Sequence, residues 1–179
     1  DPDFYPNVDW SKLLLKNGAM SYRADLSMSG GGNTARYFVS LSYVEDQGMY
    51  NTDETLRKKY DTNANYKRWN YRMNVDIDVT PTTIIKLGVS GNLNKRNSPG
   101  LGDQYLWSEL FGFNALSSPV LYSNGYVPAY GNNIHQMNPW VSSTRTGYNE
   151  EWDNNIQTNV TVDQKLDFIT KGLSFTGRF

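Results

Sequence analysis

The chain has 179 residues, 38% of them hydrophobic, with 17 basic and 18 acidic side chains, one histidine and no cysteine. A formal charge of −1 lacks the cationic excess needed to neutralise phosphates, so no nucleic-acid partner is expected; without Cys there are no disulfides, thiolate metal sites or Cys nucleophiles. A mean hydropathy of −0.64, with no apolar run near the roughly 18 residues of a spanning helix, excludes helical membrane proteins, but not transmembrane barrels, whose strands of about 9–11 residues keep one side wet. The 13 Tyr, 5 Trp, 7 Phe and 15 Gly suit β-structure or a binding surface. The chain opens at Asp1-Pro2-Asp3 and closes at Arg178-Phe179 inside an alternating run, so it reads as a piece of a longer polypeptide whose targeting signal lies elsewhere.

Residues 1–18 form a lead-in, where Asp9 or Ser11 can cap one or two helical turns closed by Asn17-Gly18. From Ala19 to Ser29, Met20, Tyr22, Ala24, Leu26 and Met28 alternate with Ser21, Arg23, Asp25 and Ser27, the period of a strand. Gly30-Gly31-Gly32-Asn33 turns the chain into a second strand over 35–45, with Tyr37, Val39, Leu41 and Tyr43 on one side and Arg36 on the other. A polar loop over 46–65 follows. The third strand, 66–79, sets Lys67, Trp69, Tyr71, Met73, Val75, Ile77 and Val79 against Arg68, Arg72, Asp76 and Asp78. After Thr80-Pro81 comes a fourth over 84–96, carrying Lys86 opposite Ile85, Leu87 and Val89. Residues 97–152 form a long Gly-, Pro- and Asn-rich loop in which only Gln104 to Leu116 suggests a short helix. Strands over 153–168 and 173–179 complete the chain.

Connections therefore alternate short and long, as in an up-and-down transmembrane barrel with short periplasmic turns and long external loops. The apolar parity carries one charge, Lys67, at a strand end from which it can snorkel. The other parity carries Arg23, Asp25, Arg36, Arg68, Arg72, Asp76, Asp78 and Lys86, a charge density suited to a wet lumen. Tyr22, Tyr43, Trp69 and Tyr71 fall in one expected aromatic belt, and Tyr37 and Phe168 in another. A soluble antiparallel sandwich with one buried face would alternate in the same way.

The run Tyr5-Pro6-Asn7-Val8-Asp9-Trp10 through Ser27-Met28-Ser29-Gly30-Gly31, then Thr34 to Tyr43 with Gln47-Gly48, resembles the SusC/RagA family of TonB-dependent outer-membrane transporters. So does Tyr66-Lys67-Arg68-Trp69-Asn70-Tyr71-Arg72-Met73-Asn74-Val75-Asp76 with Leu87-Gly88-Val89-Ser90-Gly91. The resemblance implies an all-β fold: consecutive antiparallel strands of a large, roughly 22-stranded transmembrane barrel with a plugged lumen. It further implies import of oligosaccharides or peptides across the outer membrane, a SusD-like lipoprotein lid, and energy relayed by TonB. The plug domain, the TonB-binding region and the rest of the barrel are not in this chain. About six strands cannot close such a barrel, and their edges need partners. A soluble secreted carbohydrate-binding sandwich and a passive porin-like barrel are the alternatives.

No catalytic residue, metal site or cofactor is expected. Tyr105, Trp107, Phe111, Phe113, Tyr122, Tyr126, Tyr130, Trp140, Tyr148 and Trp152, interleaved with Asn114, Asn132, Asn133 and Asn138, are candidate contacts to substrate or lid. Flat aromatic faces beside amides suit sugar rings or peptide side chains, although they serve loop packing equally well. His135 has no carboxylate nearby and reads as a surface histidine. Asp76 and Asp78, sharing a face with Arg68 and Arg72, read as part of a lumen ion-pair network rather than an acid–base pair. Glu45, Asp46, Asp53 and Glu54 lack EF-hand spacing, and the triple Gly precedes no helix, so neither calcium nor phosphate is expected there.

Overall fold

A computed structural model describes residues 1–56, 59–128 and 138–179. Six antiparallel strands form one open sheet in sequence order: β1 (Ser21–Gly31), β2 (Ala35–Asp46), β3 (Tyr66–Thr80), β4 (Thr83–Pro99), β5 (Tyr148–Lys165) and β6 (Ser174–Arg178). Among the described residues three short helices accompany them, α1 (Trp10–Leu14), α2 (Asp103–Gly112) and α3 (Pro139–Thr144). The strands β3, β4 and β5 run for 15, 17 and 18 residues, about three times the usual globular length. β5 begins at Tyr148 rather than near 153 and ends at Lys165, so Leu166 and Phe168 lie in the turn before β6. Among the described residues no second sheet covers the apolar face, which leaves the sandwich reading without its other half.

The chain divides into two compact units, one made of 1–21, 46–66 and 95–151, the other of 22–45, 67–94 and 152–179. The second, the sheet unit, has its strand residues sorted by parity into two faces of different chemistry. On the apolar face Leu26 is 60% exposed, Ile156 57% and Phe175 58%, so these side chains find no protein cover here. Two glycines have aromatic rings close to where a side chain would stand, and at Gly91 the Asn155 backbone carbonyl crowds the same spot. The Tyr37 ring lies across Gly30, where a Cβ would come 2.7 Å from the Tyr37 hydroxyl, and the Tyr71 hydroxyl lies 2.5 Å from where a Gly91 Cβ would stand. Aromatic rings covering cross-strand glycines restore the contact that glycine itself lacks.

The first unit, the loop unit, has an ordinary hydrophobic core. Trp10, Leu14 and Leu110 are buried together, with Val8, Leu13, Leu15, Phe113, Val120 and Trp140 packed around them. The lead-in helix forms because Asp9 caps it, its side chain accepting from the Lys12 N–H at 3.0 Å. The chain on either side is tied down: the Val8 N–H donates to the Ala115 carbonyl, and Leu15 bridges to Tyr50. Helix α2 ends at Phe113, whose N–H returns to the Glu109 carbonyl. Helix α3 starts at Asn138 with Pro139 in its first turn, a combination favoured because proline there forfeits no helical hydrogen bond.

Candidate functional site

The polar face of the sheet unit carries the charges that alternation assigns to it, and most are neutralised locally. Arg23 pairs with Asp25 at 2.7 Å, Arg36 with Asp78 at 3.1 Å, and Lys86 with Asp163 at 2.8 Å. Thr176 donates a further bond to Asp163. Asp78 is thus committed to Arg36, while Asp76 shares the β3 polar face with it. Arg68 and Arg72 do not join this network. Arg68 Nε donates to the neutral Asn70 Oδ1 at 2.8 Å, and Arg72 has no carboxylate partner among the described residues. The two arginines instead line a cavity of about 310 Å³ with Ser40, Asn70, Ser90, Asn92, Asn155 and Gln157. Parity puts these polar side chains on one face, but only cross-strand register brings them into one hollow, so sequence reasoning missed the set.

On the apolar face, Tyr43 of β2, Trp69 of β3 and Trp152 of β5 form a row, with the last two stacked over β4. Tyr43 and Trp69 lie 5.5 Å apart, and Trp69 and Trp152 stack at 6.5 Å with planes 5° apart. Trp152 therefore belongs to a strand and an aromatic belt, not to the long loop in which the sequence reading placed it. Such rings favour the membrane–water boundary, where one side is apolar and the other wet. Two residues further along the same strands the face turns ionic: Lys67 meets Glu45 at 3.2 Å and Lys95 meets Glu150 at 2.8 Å. Lys67 is accordingly not the lone charge of that parity; the strands extend far enough that its carboxylate partner shares the face.

In the loop unit the aromatic candidates separate. Phe113 packs edge-on against Trp10 with ring centres 5.4 Å apart, and Trp140 packs on the same core. Tyr105 is half-buried, and burial, reinforced by the Glu109 carboxylate, pushes its hydroxyl up to about 12. Tyr50, which sequence reasoning did not single out, is buried; burial raises its hydroxyl well above the ordinary value, and Asp103 beside it adds to the effect. Burial keeps both phenols protonated. Tyr122 is half-buried in a tight turn, its N–H bonded to the Tyr126 carbonyl, while Tyr126 itself is exposed. Tyr148 opens β5 and stacks on Tyr60 at 6.0 Å. Tyr130, Asn132, Asn133 and His135 lie outside the described residues.

What remains facing outward is a ladder on α2. Trp107 stacks on Phe111 at 5.8 Å and lies 6.3 Å from Tyr50; Phe111 is 80% exposed. The helix spacing explains it: Leu106 and Leu110 take the buried face, and the next residue after each points away. The asparagines proposed as ligand donors are structural where described. Asn138 is fully buried, accepts from the Val141 N–H and donates to the carbonyls of Pro119 and Val120. Asn114 accepts from the Leu116 N–H, and its carbonyl takes the Trp10 indole. Of the acids Glu45, Asp46, Asp53 and Glu54, three go to separate partners: Glu45 to Lys67, Asp46 to Ser21, and Asp53 to Arg145 and Thr55.

No protein-family model matches the chain. It is 24% identical to TonB-dependent receptor P26 of Formosa agariphila over 96% of its own length, and 26% identical to TonB-dependent receptor P3 of the same organism over 51%. The chain spans 19% and 8% of those two relatives. Among solved structures it matches one titled as the RagAB peptide transporter, with a TM-score of 0.57 and 21% identity, over 96% of this chain and 18% of that one. The relatives are receptors and a transporter by name, not enzymes. Sequence likeness to TonB-dependent receptors along nearly the whole chain, joined to an open six-stranded antiparallel sheet with the fold of part of the RagAB transporter, makes this chain similar to a stretch of barrel wall from such proteins.

Proposed function

We propose that the whole protein is an outer-membrane, TonB-dependent importer of oligosaccharides or peptides that works with a SusD-like surface lipoprotein as its lid. This stretch supplies wall and part of the cargo chamber, and TonB engages a region outside it. The observation that carries the reading is the single sheet with two chemistries. One face shows exposed Leu, Ile, Met and Phe bounded by a row of aromatic rings, and the other shows paired charges and amides. Water tolerates the second face and hydrocarbon the first, which is the arrangement of a pore wall in a bilayer.

Within the loop unit the exposed Trp107–Phe111 ladder is the contact to lid or cargo, with Tyr126 as a further exposed ring. Phe113, Trp140 and Tyr105 hold the loops together instead. The test is co-purification of the full transporter with its lipoprotein from outer membranes, together with TonB-dependent uptake of labelled oligosaccharide or peptide pools. The double variant Trp107→Ala/Phe111→Ala is expected to weaken lid retention or cargo affinity about tenfold or more, the ordinary scale for an exposed aromatic anchor. Uptake that persists without TonB would mean a passive porin and would overturn the reading. Intact lid and cargo binding in the double variant would remove the ladder from the contact surface.

A further inference from the structure

The Arg68/Arg72 cavity is a place on the polar face where two cationic side chains meet without a carboxylate in the lining. Arg23, Arg36 and Lys86 each have a carboxylate within 3.1 Å, whereas the cavity lining holds two guanidinium groups and no acidic side chain. The other polar side chains of the lining are amides and hydroxyls, Asn92, Asn155 and Gln157 among them, and Tyr71 and Gly91 of the same strands complete it. Asn92 Oδ1 is buried without a donor among the described residues, an acceptor that a ligand hydroxyl can fill. Position adds to chemistry. Arg68 is near the start of β3 and Asn92 is in the later half of β4, the ends that lead into the long connections, whereas the Arg36–Asp78 and Lys86–Asp163 pairs sit toward the short turns.

We propose that this cavity is a cargo subsite for a carboxylated sugar, in which Arg68 and Arg72 take the carboxylate and the surrounding amides and serines take ring hydroxyls. Guanidinium is the group that binds a carboxylate through two parallel N–H donors, and side-chain amides and hydroxyls both donate to and accept from sugar hydroxyls. The proposal rests on the importer reading and names the class of cargo for it.

The test uses the full transporter with its lipoprotein in detergent, titrated calorimetrically with tetragalacturonate, with neutral maltotetraose and with tetraglutamate. Tetragalacturonate is expected to bind at least about tenfold more tightly than maltotetraose, the discrimination given by a charge-assisted hydrogen bond or two. Arg68→Gln/Arg72→Gln should abolish that preference, Arg68→Lys/Arg72→Lys should keep part of it, and Asn92→Asp should reduce it by setting a like charge in the lining. Heat-modified gel migration and lipoprotein retention verify that each variant is folded. Equal affinity of wild type and the double glutamine variant for tetragalacturonate overturns the subsite, as does arginine-dependent binding of tetraglutamate alone. Failure of all three probes to bind an intact transporter–lipoprotein complex overturns the subsite and leaves the importer standing, whereas absence of both lipoprotein and TonB-driven uptake defeats the importer reading itself.

Discussion

The loop unit and the sheet unit draw on the same residue types to meet opposite surroundings. Trp10, Leu14, Tyr50, Leu106, Leu110 and Val141, the buried large apolar side chains of the described residues, all belong to the loop unit. In the sheet unit Leu26, Leu41, Met73, Ile156 and Phe175 are between 46% and 60% exposed. Burial by protein holds the first unit together. In the second, backbone ladders and cross-strand pairs hold the strands, and the apolar surface is left for lipid. An exposed hydrophobic face of this extent is a liability in water and an asset in a bilayer.

Substitutions that act on one unit and spare the other sharpen this contrast. The largest effect is expected from Trp10→Ala, which empties the centre of the loop core and should cost about 3–5 kcal/mol. Hydrogen exchange should then rise over 8–16 and 103–115 while the sheet remains protected. Leu26→Arg comes next: on the lipid face it should cost about 2–4 kcal/mol in bilayer stability, and Ser27→Arg, one residue on and facing the lumen, much less. Equal costs for the two would break the assignment of faces. Asn138→Ala removes a cap and leaves the Pro119 and Val120 carbonyls without their donor, for an expected loss of about 1–3 kcal/mol read as lost protection around 118–120 and 141.

The smallest effect is a pH dependence. Two bonds from Thr55 and the Arg145 guanidinium at 3.1 Å hold the Asp53 carboxyl below its ordinary value of 3.8. A depressed folded value stabilises above the unfolded value and is lost as pH falls through the folded one. The loop contact to Arg145 should therefore weaken only below about pH 4. Asp53→Asn should flatten that acid limb in a titration of loop-unit stability.

The strands were legible because period two persists through each of them and the bilayer rewards it on every residue. The β3 run from Lys67 to Val79 needs no tertiary information to be read. The start of β5 was hidden, since Tyr148-Asn149-Glu150-Glu151 shows no apolar alternation; its strand state follows from partners across the sheet, such as Lys95 for Glu150. Helix α1 was legible from its own cap at Asp9, whereas the role of Asn138 depends on carbonyls about twenty residues away in sequence. Local signals carry over and distant partnerships do not. The Arg68/Arg72 cavity shows the same limit: alternation gives a side chain its face, and only register gives it neighbours.

The central claim is that alternate residues of one strand meet lipid and water. Because this chain has no cysteine, single cysteines at 69 through 78 along β3 of the full transporter can carry spin labels in reconstituted bilayers, provided any cysteines outside this stretch are removed. Collision with oxygen, which partitions into lipid, should peak at 69, 71, 73, 75 and 77, and collision with a water-soluble nickel chelate at 70, 72, 74, 76 and 78. Accessibility to nickel at every position, or no period-two alternation at all, would contradict the account.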